Sequence, residues 1–334
     1  MKILVLGGKR FLGAALVEAI LQAGHTPTLF NRGLTNPELF PDVKNLIGDR
    51  NGDLKTLKRK KWDAVIDTSG FIPRIVKKTA KLLSGKCGSY TFISSVSVYK
   101  DFNQPDITED YPLAQLENPD DEDYSGKSYG PLKALCEYEI QQHFDGKVLV
   151  FRPGLLVGPN DPTDRFTYWP WRVSLGGKVL APAPPSINLQ FIDVRDLADF
   201  IVKMIEKQNE GVFNITGPKK PATFGSLLIA CREASLSDAS FVWVDENFLL
   251  EKGVTPWTDL PLWVPASDPS YKGFYNININ KAVKAGLTFR PLSQTVGDLL
   301  SWLRTRPNTR SLEVGMGIAT ETELLIKYQK EQEE

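Results

Sequence analysis

Cysteine and histidine are scarce in this chain, with three cysteines and two histidines among 334 residues. Cys87, Cys136 and Cys231 lie far apart and share no paired spacing, which argues against a disulfide framework or a zinc site and fits a reducing cytoplasm. His25 and His143 fall in no metal-ligand pattern, so no metal centre is expected. Net charge is lacking as well. Forty basic side chains balance forty acidic ones, leaving no global field to draw the protein to nucleic acid or to an anionic membrane. The densest basic run, Lys58-Arg59-Lys60-Lys61, stands just before a strand and reads as a solvated helix end that complements the helix dipole. No stretch approaches the roughly 18 apolar residues of a membrane span, and Met1 to Leu6 reaches glycine too early for a signal peptide. A soluble cytoplasmic protein is expected, acting on a small molecule, with neither membrane nor nucleic acid as partner. Monomer and homodimer both remain open.

What the chain does have is core and a repeating order. Hydrophobic residues make up 42% of it, enough for a substantial interior. Ile3-Leu4-Val5-Leu6 is a continuous apolar run ending in Gly7-Gly8, as expected of a strand buried on both faces. A helix follows, its apolar positions Leu12, Leu16, Ala19 and Ile20 on one side and Gly24 at its end. Further strands are predicted at Thr28-Leu29-Phe30, Asn45-Leu46-Ile47, Ala64-Val65-Ile66, Tyr90 to Ile93 and Val148 to Phe151, several of them separated by helical segments. This alternation predicts an α/β fold with a doubly wound parallel sheet, whose ligands sit at the carboxyl ends of the strands. Prolines cluster after residue 155, and aromatics crowd Phe166-Thr167-Tyr168-Trp169-Pro170-Trp171, which predicts a long functional loop. The expected division is a dinucleotide-binding domain over 1–155, with 186–215 returning to it. Residues 156–185 and 216–334 then form a smaller mixed α/β substrate domain.

Gly7-Gly8-Lys9-Arg10-Phe11-Leu12-Gly13 stands where strand turns into helix, so its amides and the helix N-terminus can hold a pyrophosphate. Where the second strand ends, a carboxylate would bind both ribose hydroxyls and repel a 2′-phosphate. Here the residues are Asn31-Arg32-Gly33. Arginine attracts phosphate, so NADP(H) is preferred to NAD(H) as cofactor, with Arg10 and Lys9 near enough to add to the subsite. Asp49 is placed to meet adenine or, equally, to begin a turn. Thr68, Ser69 and Gly70 after the fourth strand and Pro153 after the sixth complete the expected cofactor contacts.

Tyr129 and Lys133 are spaced Y-x-x-x-K. On a helix starting near Tyr129 that spacing puts phenol and ammonium on one face, where the cation lowers the phenol pKa toward working pH. Such a phenol can exchange a proton with an alcohol or carbonyl during hydride transfer.

With the glycine turn, Ser94-Ser95-Val96-Ser97-Val98-Tyr99, Tyr129-x-x-x-Lys133 and Arg152-Pro153-Gly154 in that order, the chain resembles the extended short-chain dehydrogenase/reductases. More narrowly it is similar to their NAD(P)-dependent epimerase/dehydratase branch, which has a Rossmann-type fold. Gln190 to Ala198 and Phe213 to Gly217 extend the likeness. The resemblance implies that Tyr129 is the acid/base, Ser95 hydrogen-bonds the substrate oxygen, and Lys133 orients the nicotinamide ribose and lowers the tyrosine pKa. It implies an oxidoreductase acting on a secondary alcohol or ketone, or a nucleotide-sugar epimerase using the same three side chains. Val96-Ser97 stands where the dehydratases carry an acidic pair, which argues against dehydration. Arg10 in the glycine turn is similar to plastid RNA-binding relatives, which motivates a second hypothesis of a non-catalytic RNA or protein binder. Arg165, Tyr168, Trp169 and Arg172 are candidate substrate contacts by position, arginine beside aromatics suiting a phosphate, carboxylate or sugar.

Overall fold

The computed structural model describes residues 1–118, 120–306 and 312–333. The chain opens with β1 (Lys2–Leu6), α1 (Leu12–Gln22), β2 (Thr26–Asn31) and β3 (Lys44–Ile47). It continues through β4 (Trp62–Asp67), α2 (Pro73–Leu83), β5 (Cys87–Ile93), α3 (Tyr129–His143) and β6 (Lys147–Pro153). Next come β7 (Leu155–Val157), α4 (Tyr168–Ser174), β8 (Lys178–Pro182), β9 (Asn188–Leu189), β10 (Phe191–Asp193), α5 (Val194–Glu206) and β11 (Gly211–Ile215). The last elements are β12 (Ala222–Thr223), α6 (Phe224–Ser235), β13 (Ser240–Val244), α7 (Glu246–Glu251), α8 (Asn280–Ala285), α9 (Leu292–Leu303) and α10 (Ile318–Glu333).

Seven strands form one parallel sheet in the order β11-β6-β5-β4-β1-β2-β3. The chain builds outward from β1 to β3, returns to the other side of β1 at β4, and builds outward again. That reversal leaves a crevice above the carboxyl ends of β1 and β4, where open α/β sheets take their ligands. The apolar run of β1 is completely buried from Ile3 to Leu6, the expected state of a strand covered by helices on both faces. One face packs on α1 and α5 through Leu16, Ile20, Leu197 and Ile201, and the other on α2 and α3 through Val76, Ala80, Cys136 and Ile140.

Two features depart from the sequence expectations. The sheet has a seventh strand, β11, beside β6. And the aromatic run predicted as loop is largely helix α4, which packs on α6 and α9. Pro170 is tolerated because it lies in the first turn, where its missing N–H has no intrahelical partner to lose. Around α4 sits a separate core, with Trp169 and Trp263 fully buried and Phe224, Leu228, Leu299 and Leu324 beside them. No described helix is long and apolar enough to cross a membrane.

Candidate active site

The first glycine turn has the shape a pyrophosphate needs. Gly7 has φ 114°, and a Cβ there would come within 2.4 Å of Thr68 Oγ1, so only glycine fits between the ends of β1 and β4. Its amide donates to Phe30 O at 3.0 Å, which leaves the turn standing above the crevice. Gly8, Leu12 and Gly13 are buried at the start of α1, Phe11 is half-buried with φ 41°, and Arg10 is exposed on the outer side of the turn. Lys9 is committed elsewhere, its Nζ donating to Pro37 O at 2.6 Å, so it is not available to a 2′-phosphate.

At the end of β2, Asn31 Nδ2 donates to Gly7 O at 3.1 Å and its Oδ1 accepts from the Gly33 amide at 2.9 Å. Asn31 thus shapes the turn, while Arg32 is exposed and points to solvent space. Asp49 is exposed and accepts from the Asn51 amide at 2.8 Å, the turn-forming use of an aspartate. Thr68 and Ser69 both donate to Leu6 O, at 2.9 and 3.2 Å, and Gly70 and Pro153 are buried at the ends of their strands.

Sequence reasoning missed the residue that points inward beside Asp49. Arg50 makes a two-pronged pair with the fully buried Asp67, both contacts at 2.7 Å, and Tyr90 donates to the same carboxylate at 2.6 Å. Burial, then the Asp67 charge, push the Tyr90 phenol well up. The available signal was an acidic residue closing an apolar strand, a position that requires a buried cation.

Tyr129 opens α3, and its approach to the strand end of β5 depends on a missing side chain. A Cβ on Gly130 would lie 1.9 Å from Ser97 O, so the helix start touches the backbone of the 95–99 turn. Ser95 accepts from the Ser97 amide at 3.1 Å, which fixes the turn. The structure brings Ser95 and Tyr129 together: burial raises the phenol pKa, and the Ser95 hydroxyl and then the Arg165 charge draw it back down.

Lys133 is held by backbone carbonyls. It lies one turn after Tyr129 as predicted, yet its Nζ donates to Gly70 O at 2.7 Å and Ile93 O at 2.6 Å and sits 4.1 Å above the Phe92 ring. Those bonds turn the ammonium toward the end of β5 and the chain that follows β4. Burial lowers its own pKa to about 8.

The substrate-contact expectations divide. Tyr168 and Trp169 are enclosed in the second core, with Trp169 Nε1 donating to Pro261 O at 2.7 Å. Arg172 is buried against Glu321 at 2.5 Å and caps carbonyls of Gly176 and Lys178. These three hold structure together, buried on the side of their helix that packs on α6 and α9. Arg165 is the one of the four that is only half-buried, with its guanidinium carbon 5.6 Å from the Trp257 ring centre and its charge within electrostatic range of the phenol. Two of the quoted motifs are also structural. Arg152 pairs with Glu137 at 2.7 Å and contacts Tyr99, whose hydroxyl donates to Asn214. Asp193 caps α5 and binds Arg195 and Thr295.

A seven-stranded parallel sheet with a glycine turn at its strand-order reversal, and with serine and tyrosine meeting at its carboxyl edge, defines a dinucleotide-binding fold of the short-chain dehydrogenase class. The profile of the NAD dependent epimerase/dehydratase family matches residues 3–216, and the chain belongs to that family. Over 251 residues it is 27% identical to the chloroplast stem-loop binding protein of 41 kDa b of Arabidopsis thaliana, a match covering 70% of this chain and 63% of that longer protein. It is 25% identical to the epimerase family protein SDR39U1 of Bos taurus over 67% of this chain and 76% of that one. In fold it is similar to the UDP-glucuronic acid 4-epimerase of Bacillus cereus solved with NAD, with a TM-score of 0.65 and 18% identity over 91% of this chain and 99% of that one.

Proposed function

We propose that the chain is an NAD(P)-dependent oxidoreductase of the extended short-chain type that moves hydride to or from a secondary alcohol or ketone. The observation that carries this is the meeting of Ser95 and Tyr129 beside the crevice between β1 and β4. The glycine cradle fits a dinucleotide, since Gly7 at φ 114° and Gly8 at φ 96° form a tight turn that leads into the start of α1, where a helix N-terminus can take a pyrophosphate. Gly7, Gly8 and Gly13 with the start of α1 would hold the pyrophosphate and Arg32 a 2′-phosphate. The cofactor supplies the hydride. Tyr129 gives or takes the proton at the substrate oxygen, and Ser95 donates to the same oxygen as charge develops there. Burial holds the phenol above its ordinary pKa, and the Ser95 hydroxyl and then the Arg165 charge offset part of that rise.

An epimerase would oxidise and re-reduce with the same side chains, and the likeness in fold to the UDP-glucuronic acid 4-epimerase of Bacillus cereus is in keeping with that variant. Tyr129→Phe removes the proton and keeps the ring. Turnover on UDP-glucose, UDP-glucuronic acid or a panel of hydroxy-carbonyl compounds should fall by roughly 100-fold or more, while nucleotide binding by calorimetry stays within error. Undiminished turnover would rule out the acid/base role.

NADP(H) rather than NAD(H) follows from Arg32 and the lack of a carboxylate at the end of β2. A second reading, binding of stem-loop RNA, is favoured by the likeness to the chloroplast relative and by the exposed run Lys58, Arg59 and Lys61.

A further inference from the structure

Among the described residues, arginines that are buried or half-buried are paired with carboxylates, with one exception. Arg50 pairs with Asp67, Arg152 with Glu137, Arg172 with Glu321, Arg195 with Asp193, Arg290 with Asp196 and Arg306 with Asp164. That is the normal state of a guanidinium withdrawn from water, because an unpaired one forfeits solvation without return. Arg165 is the exception. Only its Nε is bonded, donating to Thr163 Oγ1 at 3.1 Å, and among the described residues the two terminal nitrogens, a fork of four N–H donors, meet no acceptor.

The carboxylate nearest in charge, Asp161, is held off from it. Its Oδ1 is occupied by the Thr163 amide at 2.8 Å and hydroxyl at 2.7 Å, no ion pair with Arg165 forms, and Oδ2 is buried with no partner among the described residues. The other side of the guanidinium is a built surface. Trp257 lies against it, in turn stacked on Tyr275 with ring centres 6.5 Å apart. Trp257 holds φ 64°, a conformation that is an outlier for a bulky side chain and is retained where the surroundings enforce it, commonly at ligand clamps. A strained aromatic plate thus fixes a cation whose bonding edge is free, in electrostatic contact with the phenol of Tyr129.

We propose that Arg165, backed by Trp257, is the receptor for an oxyanion carried by the substrate close to its reacting carbon, so that the substrate class is a carboxylated or phosphorylated hydroxy or keto compound. This rests on the reading of Tyr129 as the reacting acid/base and adds the charge of its substrate. A neutral polyol would leave the fork unsatisfied, whereas a carboxylate or phosphate accepts two parallel bonds from it. The plate leaves the guanidinium one free edge, so the anion is fixed in orientation as well as attracted.

The test is a calorimetric titration of the full chain, with and without NADP added, using inorganic phosphate, malonate and neutral erythritol as probes. Phosphate or malonate should bind and erythritol should not. Arg165→Met should weaken the anion by roughly ten-fold or more, the size of a lost charge-assisted bond, and Arg165→Lys by less. Preference for phosphate over malonate assigns a phosphate ester, and the reverse assigns a carboxylate. Melting temperature separates a structural role: an unpaired cation leaves it unchanged on replacement by Met, while loss of a structural contact lowers it. Anion binding equal in wild type, Met and Lys variants, or a lowered melting temperature with binding intact, overturns the proposal. Failure of NADP to bind while Arg165-dependent anion binding persists would instead overturn the cofactor reading and leave the oxyanion receptor standing.

Discussion

Asn31 and Arg32 are neighbours in sequence and opposites in what they are free to do. Asn31 spends both ends of its amide on the turn, one on Gly7 O and one on the Gly33 amide, and an aspartate there would set a carboxylate against the Gly7 carbonyl. Composition alone treats the pair as a single phosphate-friendly dipeptide, because a sequence names the donors without saying which are already bonded. In the NADP(H) proposal the selectivity therefore falls to the exposed Arg32. Arg32→Glu therefore keeps the turn and replaces an attraction by a repulsion at the 2′ position. The ratio of NADP to NAD affinity should fall by roughly ten-fold or more, measured by fluorescence titration of the reduced nucleotides. An unchanged ratio would show that the 2′ position lies out of reach of Arg32 and remove the argument for NADP.

Helix α3 shows what a spacing rule can and cannot deliver. The four-residue interval between Tyr129 and Lys133 correctly places both on one helix, but the direction of a long lysine chain is set by what lies beyond the helix. Two carbonyls at the ends of β4 and β5 capture it. Gly130 was equally silent in the sequence, since its need arises from contact with Ser97 O, a residue distant along the chain.

Burying Lys133 has a sign that can be measured. Its pKa of about 8 lies below the ordinary lysine value of 10.5, so between these pH values the unfolded chain holds a proton that the folded chain has released. Stability from this group is therefore penalised below pH 8 and recovers as pH rises. The buried cysteines act oppositely, burial raising Cys87 and Cys136 to about 12, so the comparison must be differential. Between pH 7.5 and 9.5, wild type should gain about 2 kcal/mol over Lys133→Met in urea unfolding. A difference independent of pH would show that the ammonium remains charged in place.

On the scale of the whole molecule, a net charge of zero conceals where the charge lies. Because the sheet is parallel, the starts of its strands share one edge, and that edge carries the exposed Lys2 at β1, Lys44 at β3 and Lys61 before β4, with Lys58 and Arg59 close by. Slight burial, then the charge of Lys44, lower the pKa of Lys60, a sign of like charges crowded together. The fold class, the glycine turn and the Ser95 and Tyr129 pair were legible as strand periodicity and local motif. This edge was not, because its basic residues come from three separate stretches that only the topology assembles. It lies at the opposite pole from the glycine turn, so RNA binding there and dinucleotide binding at the crevice would be independent. An exposed, uncupped lysine edge gives the non-specific electrostatic term alone, with dissociation constants of about 10⁻⁴–10⁻⁶ M at physiological salt. Filter binding of a stem-loop RNA across a salt series should show such weak binding with a steep salt slope, flattened when Lys58, Arg59 and Lys61 are changed together to Gln. Binding that stays tight at physiological salt and prefers the stem-loop over an unstructured RNA, in protein that takes up no dinucleotide, would reverse the ranking and make the fold a scaffold for RNA.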